Sequence, residues 1–239
     1  MPKNVQKLKL SDPLFDKLKS FDGRLYSYVV AHDIGFAPNP YFGFCTLACC
    51  KPTIRKHARE GDWIVGLTSR ENGTNRIVYF MRVDERLESF ESYWKDPRFE
   101  SKKRSTASDE AQLGDNIYKV DKRGNYTQVE SKHSDGPREN TENKERDLKG
   151  KAILVGTTFT YFGENAVELP PELQPLVIGR GHRSHFDEEV RSDFVKFVCR
   201  IGIRGKCGNP AKYRVQLLTS TCTEKVAQRQ LERKGCGGC

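Results

Sequence analysis

No stretch of this 239-residue chain approaches the roughly 18 consecutive apolar residues that a membrane span needs. The first thirty residues contain no apolar core of a secretory signal, so a cytoplasmic protein is expected. Methionine and tryptophan are scarce, with two of each. Cysteine is also sparse. The eight cysteines are unevenly placed, and Cys49 and Cys50 are adjacent, which argues against a small disulfide-stapled secreted domain. One close pair has Cys-x-x-Cys spacing, Cys236 and Cys239 at the end of the chain, with Cys199 and Cys207 upstream. Structural zinc commonly takes two such pairs, so no metal and no other cofactor is expected. Cys45, Cys49 and Cys50 read as small buried apolar side chains. The chain shows no internal repeat, and no nucleophile–base pair is legible in it.

What is present is polarity outside an aromatic core. Mean hydropathy is −0.70, yet there are 13 Phe and 9 Tyr. A chain of this length can bury most of its apolar surface without disulfides. The net charge of +9 is concentrated at one end. Arg200 to Cys239 holds nine basic residues against two acidic ones, Glu224 and Glu232, and leaves the rest near neutral. A basic segment on a neutral domain points to a polyanion, nucleic acid first; a solvated basic surface is the alternative.

The periodicities predict an α+β protein: a curled mixed or mostly antiparallel sheet, or small open barrel, with helices packed on it. Residues 4–20 and 223–234 read as helices. Leu25–Ala31 is a strand, apolar on both faces and therefore central. Pro52 opens a helix through Glu60, stopped by Gly61. Asp62–Thr68 and Arg76–Asp84 are strands joined by turn chemistry, and Asp62 reads as a turn-fixing carboxylate. Phe90–Trp94 is a short helix. Lys151–Phe162 reads as one strong strand. Asp187 is the N-cap candidate of a helix running to Arg200. Ser131–Lys149 has one apolar residue, Leu148, and reads as a surface loop or disordered insert excluded from the core. The domain reading is 1–200, with a polar insert at about 100–149, followed by a basic extension at 201–239. The order of elements suggests by analogy the barrel of the pseudouridine-synthase-and-archaeosine-transglycosylase (PUA) class.

Two loops hold the candidate chemistry. His32-Asp33-Ile34-Gly35-Phe36-Ala37-Pro38-Asn39-Pro40 follows the first strand and runs on to Lys51 and Arg55. Polar groups beside aromatics suit base or sugar recognition, with Trp63, Tyr93 and Trp94 as candidate stacking surfaces. A structural turn, with Asp33 and Asn39 bonding local backbone, is the alternative. Gly179-Arg180-Gly181-His182-Arg183-Ser184-His185 combines glycines that allow close backbone approach with two arginines able to fork onto phosphate. It is neither a P-loop nor a dinucleotide fingerprint. Both loops are expected to face one pocket. The ligand-binding candidates are therefore His32, Asp33, Asn39, Lys51, Arg55, Arg180, His182 and Arg183.

The stretch His32 to Arg55, together with Gly61–Gly66, Ile77–Val83, Tyr93-Trp94 to Phe99, Gly114–Tyr118, Tyr161–Gly163 and Gly179–Arg183, resembles the family called nucleotide modification associated domain, type two, over about residues 25–200. The resemblance implies association with DNA-base modification or defence systems of phage and bacteria, a nucleotide or nucleic acid as partner, and companion proteins of a modification system; it carries over no catalytic residue. The reading that follows is a protein recognising a nucleotide or modified base. The alternative is a transferase-like enzyme centred on His32, Asp33 and His182, and a third option is a structural partner in a modification system.

Overall fold

The computed structural model describes residues 22–70 and 75–211, and the helices expected at 4–20 and 223–234 lie outside them. The central sheet is mixed and is built on β1 (Leu25–Val29), β3 (Trp63–Leu67), β4 (Arg76–Arg82) and β9 (Phe159–Tyr161), in that spatial order. Two short strands extend its edges. β11 (His182–Arg183) pairs antiparallel with β1, and β12 (Gly205–Lys206) pairs parallel with β9. β10 (Val167–Glu168) pairs with β4. β1 and β3 are parallel, so the chain between them must cross over. That crossover carries β2 (Cys45–Leu47) and α1 (Pro52–His57).

Both faces of β1, β3 and β4 are buried, as their continuous apolar runs predict. Trp63, Val65 and Phe80 pack against Phe194, Phe197 and Val198 of α4 (Glu188–Ile201). Tyr26, Tyr28, Ile64 and Tyr79 pack against Cys45, Leu47, Ile54 and Leu154 on the opposite face. Gly66 admits this second layer, because a Cβ there would lie 2.2 Å from the Tyr79 ring.

A second sheet orders β2, β8 (Ile153–Gly156) and β5 (Glu85–Leu87). The single strand expected over 151–162 is thus two strands in two sheets. Asp84 makes the break: its Oδ2 accepts hydrogen bonds from the N–H groups of Thr157 and Thr158 at 2.8 and 2.7 Å and from the Thr157 hydroxyl at 2.9 Å. The sheets do not close into a barrel, so the fold class is α+β and the PUA likeness stays an analogy. Asp62 does fix its turn, accepting from Arg24 N and Arg59 N at 2.7 and 2.8 Å. Asp187 precedes α4 but makes no side-chain cap.

The segment Ser131–Lys149 is the main departure from expectation: it is not a loop excluded from the core but holds a helix, α3 (Thr141–Leu148), capped by Asn140 Oδ1 accepting from Asn143 N at 2.9 Å, with Leu148 packed against the core. It follows the hairpin β6 (Tyr118–Val120)–β7 (Tyr126–Gln128). Ile117 and Tyr118 join Phe36, Phe90, Tyr93 and Phe99 in a third apolar cluster, with α2 (Phe90–Lys95) across from the hairpin. Asp147 of α3 is fully buried. The helix docks through a charged group instead of an apolar stripe, which hides it from a hydrophobicity pattern.

Candidate functional site

A pocket of about 610 Å³ opens where β1 ends, bounded by the β1 loop, the start of α1, the β11 edge and α3. The size suits a small ligand. Tyr28, Val30, Ile34, Phe36, Ala37 and Ile54 give it apolar walls; Lys51, Lys132, Arg146, His32, His133 and His182 give it basic ones, and among the described residues no carboxylate residue lines it. Register explains how the two loops meet. Tyr28 pairs with His182, so the Gly-rich segment lies along β1 as an edge strand, entered through Gly181 at φ +81°.

Of the residues expected from sequence, His32, Lys51 and His182 line this pocket. Lys51 is half-buried, with Nζ 4.7 Å from the Tyr28 ring centroid, and burial lowers its pKa. Burial, with lesser contributions from the Lys51 and His57 charges, also lowers the His182 pKa and favours the neutral imidazole.

The other candidates lie elsewhere. Asp33 is buried: one carboxylate oxygen accepts from the Tyr161 hydroxyl, the other from Ala211 N at 3.2 Å. Burial raises its pKa against those bonds. Asn39 is sealed in the interior, donating to Leu113 O at 2.8 Å and accepting from Lys102 Nζ at 2.7 Å. The Lys102 ammonium, wholly buried, also donates to Asn39 O and Phe44 O at 3.0 and 2.9 Å, and burial brings its pKa down to about 8. Tyr93 donates to buried Asp115 at 2.8 Å, and the same carboxylate accepts from Thr46 at 2.6 Å. Trp63 is core, its ring 5.5 Å from Phe194. Trp94 is half-buried in a separate depression, between the ammonium groups of Lys103 and Lys119 at 4.4 and 5.4 Å. Arg180 and Arg183 are exposed and do not line the pocket; Arg183 donates to Pro175 O at 3.0 Å.

Arg55 is fully buried and spends its donors on main-chain carbonyls: Cys50 O at 2.8 Å, Ala152 O at 3.0 Å, Asp147 O at 2.6 Å and Gly150 O. None is directed at the pocket. The guanidinium ties α1 to α3 and offsets the charge of Asp147.

Asp147 organises the site floor. Oδ1 accepts from Cys50 N at 2.8 Å; Oδ2 accepts from Tyr118 at 3.0 Å and from His133 Nδ1 at 2.7 Å. Burial opposes the ionised carboxylate, but the His133 bond and charge, with help from Cys50 N and Arg55, hold its pKa below the usual range. With Nδ1–H donating to Asp147, Nε2 of His133 faces Cys50 Sγ, 3.4 Å away. Phe36 packs on the imidazole at 4.8 Å. Cys50 and Lys51 have φ of +60° and +40°, left-handed backbone uncommon for residues with a Cβ. Such strain costs on the order of 1–3 kcal/mol per residue and persists only where the surroundings enforce it. Here Asp147 holds the Cys50 N–H and Arg55 holds its carbonyl.

Sequence reasoning missed Cys50 as more than a core thiol and missed His133 and Asp147 altogether, since 83 residues separate Cys50 from His133 and the latter two sit in the polar segment. The legible signal was a His and an Asp on the two sides of a helix N-cap. As metal ligands, Cys49, His133 and Asp147 bring donor atoms within 4.8 Å of one another. Those are three donors where zinc takes four, and His133 Nδ1 and Asp147 Oδ2 already bond each other.

The family model described as nucleotide modification associated domain 2 matches residues 22–217. No curated protein and no solved structure matches the chain.

Proposed function

The chain belongs to the nucleotide modification associated domain 2 family, which associates it with nucleotide modification; from that premise we propose that it recognises a nucleotide or modified base in the pocket at the end of β1. The observation that carries this reading is the lining. Lys51, Lys132 and Arg146 stand among apolar walls, and among the described residues no acidic side chain lines the pocket. A phosphate needs cations, while a base needs flat apolar contact and a few polar atoms at its edge. Phe36, Ile34 and Tyr28 supply the contact; Asn143 and the neutral His182 supply edge groups. The phosphate cations are thus Lys51 and Arg146, in place of Arg180 and Arg183.

Titration calorimetry with the four nucleoside 5′-monophosphates and the matching nucleosides tests it. Each forked or charge-assisted phosphate contact contributes about 1.5–3 kcal/mol. K51A/R146A removes two such contacts and should therefore weaken monophosphate binding by about a hundredfold or more, with little effect on the nucleoside. Equal losses for both, or none for either, would contradict the phosphate assignment. Among the described residues no helix is long and apolar enough to cross a membrane.

A further inference from the structure

We propose that Cys50, His133 and Asp147 form a thiol-nucleophile site in this pocket, acting by acyl transfer on an amide or ester carbonyl carried by a nucleotide. That the carbonyl belongs to a nucleotide rests on the binding function proposed above. The thiol chemistry rests on geometry alone. Cys50 lines the pocket, and its Sγ lies 3.4 Å from His133 Nε2; His133 Nδ1 is 2.7 Å from Asp147 Oδ2. A nucleophile, a base and a group orienting the base, in sequence and at hydrogen-bond spacing, are the arrangement that activates a thiol. The orienting group is itself fixed, by Tyr118 and by the Cys50 N–H.

The neighbouring cysteines give the contrast. Cys45 and Cys49 are wholly buried, and burial pushes both thiols up, Cys49 well above the usual range. They lie one or a few residues from Cys50 but are sealed off, while Cys50 is only partly buried, has left-handed backbone and lines the pocket. Burial opposes the imidazolium form of His133, but its bonds to Asp147 and Cys50 outweigh this and raise its pKa to about 9. His133 Nε2 stands beside the sulfur, placed to exchange a proton with it.

The reaction balances with water as the second reactant. The Cys50 sulfur gives an electron pair to the carbonyl carbon, forming an S–C bond. The adduct collapses by breaking the C–N or C–O bond, and His133 Nε2 protonates the departing atom. Water, deprotonated by His133, then attacks the thioester; the S–C bond breaks and the proton returns to the Cys–His pair. The net change is amide or ester plus water to acid plus amine or alcohol, with no oxidant or reductant. Cys50 and His133 are the catalytic residues, and Asp147 is a positioning residue.

Two measurements on the full chain test it. In the first, iodoacetamide labelling near pH 6 is followed by peptide mass spectrometry. Cys50 should alkylate at least about tenfold faster than the exposed Cys207, and H133Q should remove that advantage. D147N should move the pH profile of labelling toward that of an ordinary thiol, a change that loss of packing alone would not produce. In the second, the protein is mixed with 4-nitrophenyl acetate and, separately, with N4-acetylcytidine 5′-monophosphate. The Cys50 peptide should carry a hydroxylamine-labile acetyl group with both. Labelling of Cys50 no faster than Cys207 in the wild type would overturn the nucleophile, as would acetylation from neither reagent. Capture from the nitrophenyl ester but not from the nucleotide would keep the thiol and overturn the nucleotide as its carrier. The first measurement compares two thiols of the wild-type protein, so it does not depend on any variant folding.

Discussion

Replacing Arg55 with methionine should destabilise the fold. The side chain is fully buried and holds the carbonyls of Cys50, Asp147, Gly150 and Ala152. It also stacks over Phe90 at 5.4 Å and stands near the Asp147 charge. Methionine fills much of the volume, so the apolar packing survives. What disappears is the donor set. Breaking one partner of a buried charge pair costs about 3–5 kcal/mol, and each stranded acceptor adds to that. A net loss of about 4 kcal/mol is a large share of the 5–15 kcal/mol that domains possess. For a domain of roughly 200 residues each kcal/mol moves Tm by about 2–4 °C, so Tm should fall by about 10 °C. Calorimetry or circular dichroism reads the shift. Hydrogen exchange locates it, because the bonds to Asp147 and Gly150 anchor α3 and residues 141–150 should lose protection first. R55K, with one ammonium in place of a planar fork, should recover only part of the loss. A melting point within about 2 °C of the wild type, with α3 still protected, would refute the structural role and leave the Arg55 guanidinium free to meet a ligand.

The His133–Asp147 pair predicts a pH dependence. The folded pKa of His133 is raised from 6.5 to about 9, so its stabilising contribution is complete below 6.5 and fades as pH rises through 9. The stability gap between wild type and H133Q, on the order of 3 kcal/mol at pH 6, should close by pH 10. Taking the difference removes the opposing effect of Lys102, whose pKa is lowered to about 8; a gap that stays constant in chemical denaturation contradicts the pairing. Truncation after Ala211 removes Lys212, Arg214, Lys225, Arg229, Arg233 and Lys234 while keeping β12 and the Ala211–Asp33 bond. If the basic end neutralises DNA phosphates, the slope of log K against log salt should flatten by about 0.9 for each phosphate that the truncated chain leaves unneutralised; an unchanged slope makes the segment a solvated surface.

The elements with strong periodicity were legible because tertiary structure agrees with local pattern. β1, β3 and β4 are apolar on both faces and are central, and Pro52 opens α1 as expected, but the helix ends at His57, capped by Ala58 in extended backbone, short of the Glu60–Gly61 stop that the sequence suggested. What escaped was polar structure inside the protein. Asn39, Tyr93 and Arg55 carry polar groups beside a Gly- and Pro-rich loop, which is what a binding site looks like in one dimension. In three dimensions Lys102, Asp115 and Asp147 satisfy them from 22 to 92 residues away. A buried polar network and a ligand site use the same residue types, and burial tells them apart. Helix α3 escaped for the same reason: its anchor is a carboxylate. His32, Lys51 and His182 line one pocket because each sits near where a strand or helix begins or ends.

The most direct test of the central claim is a crystal structure with a nucleoside 5′-monophosphate soaked in. The account predicts the base against Phe36 and Ile34, and the phosphate within hydrogen-bond reach of Lys51 or Arg146. A nucleotide seated instead on Arg180 and Arg183, or on Trp94 between Lys103 and Lys119, with the β1 pocket empty, would contradict it.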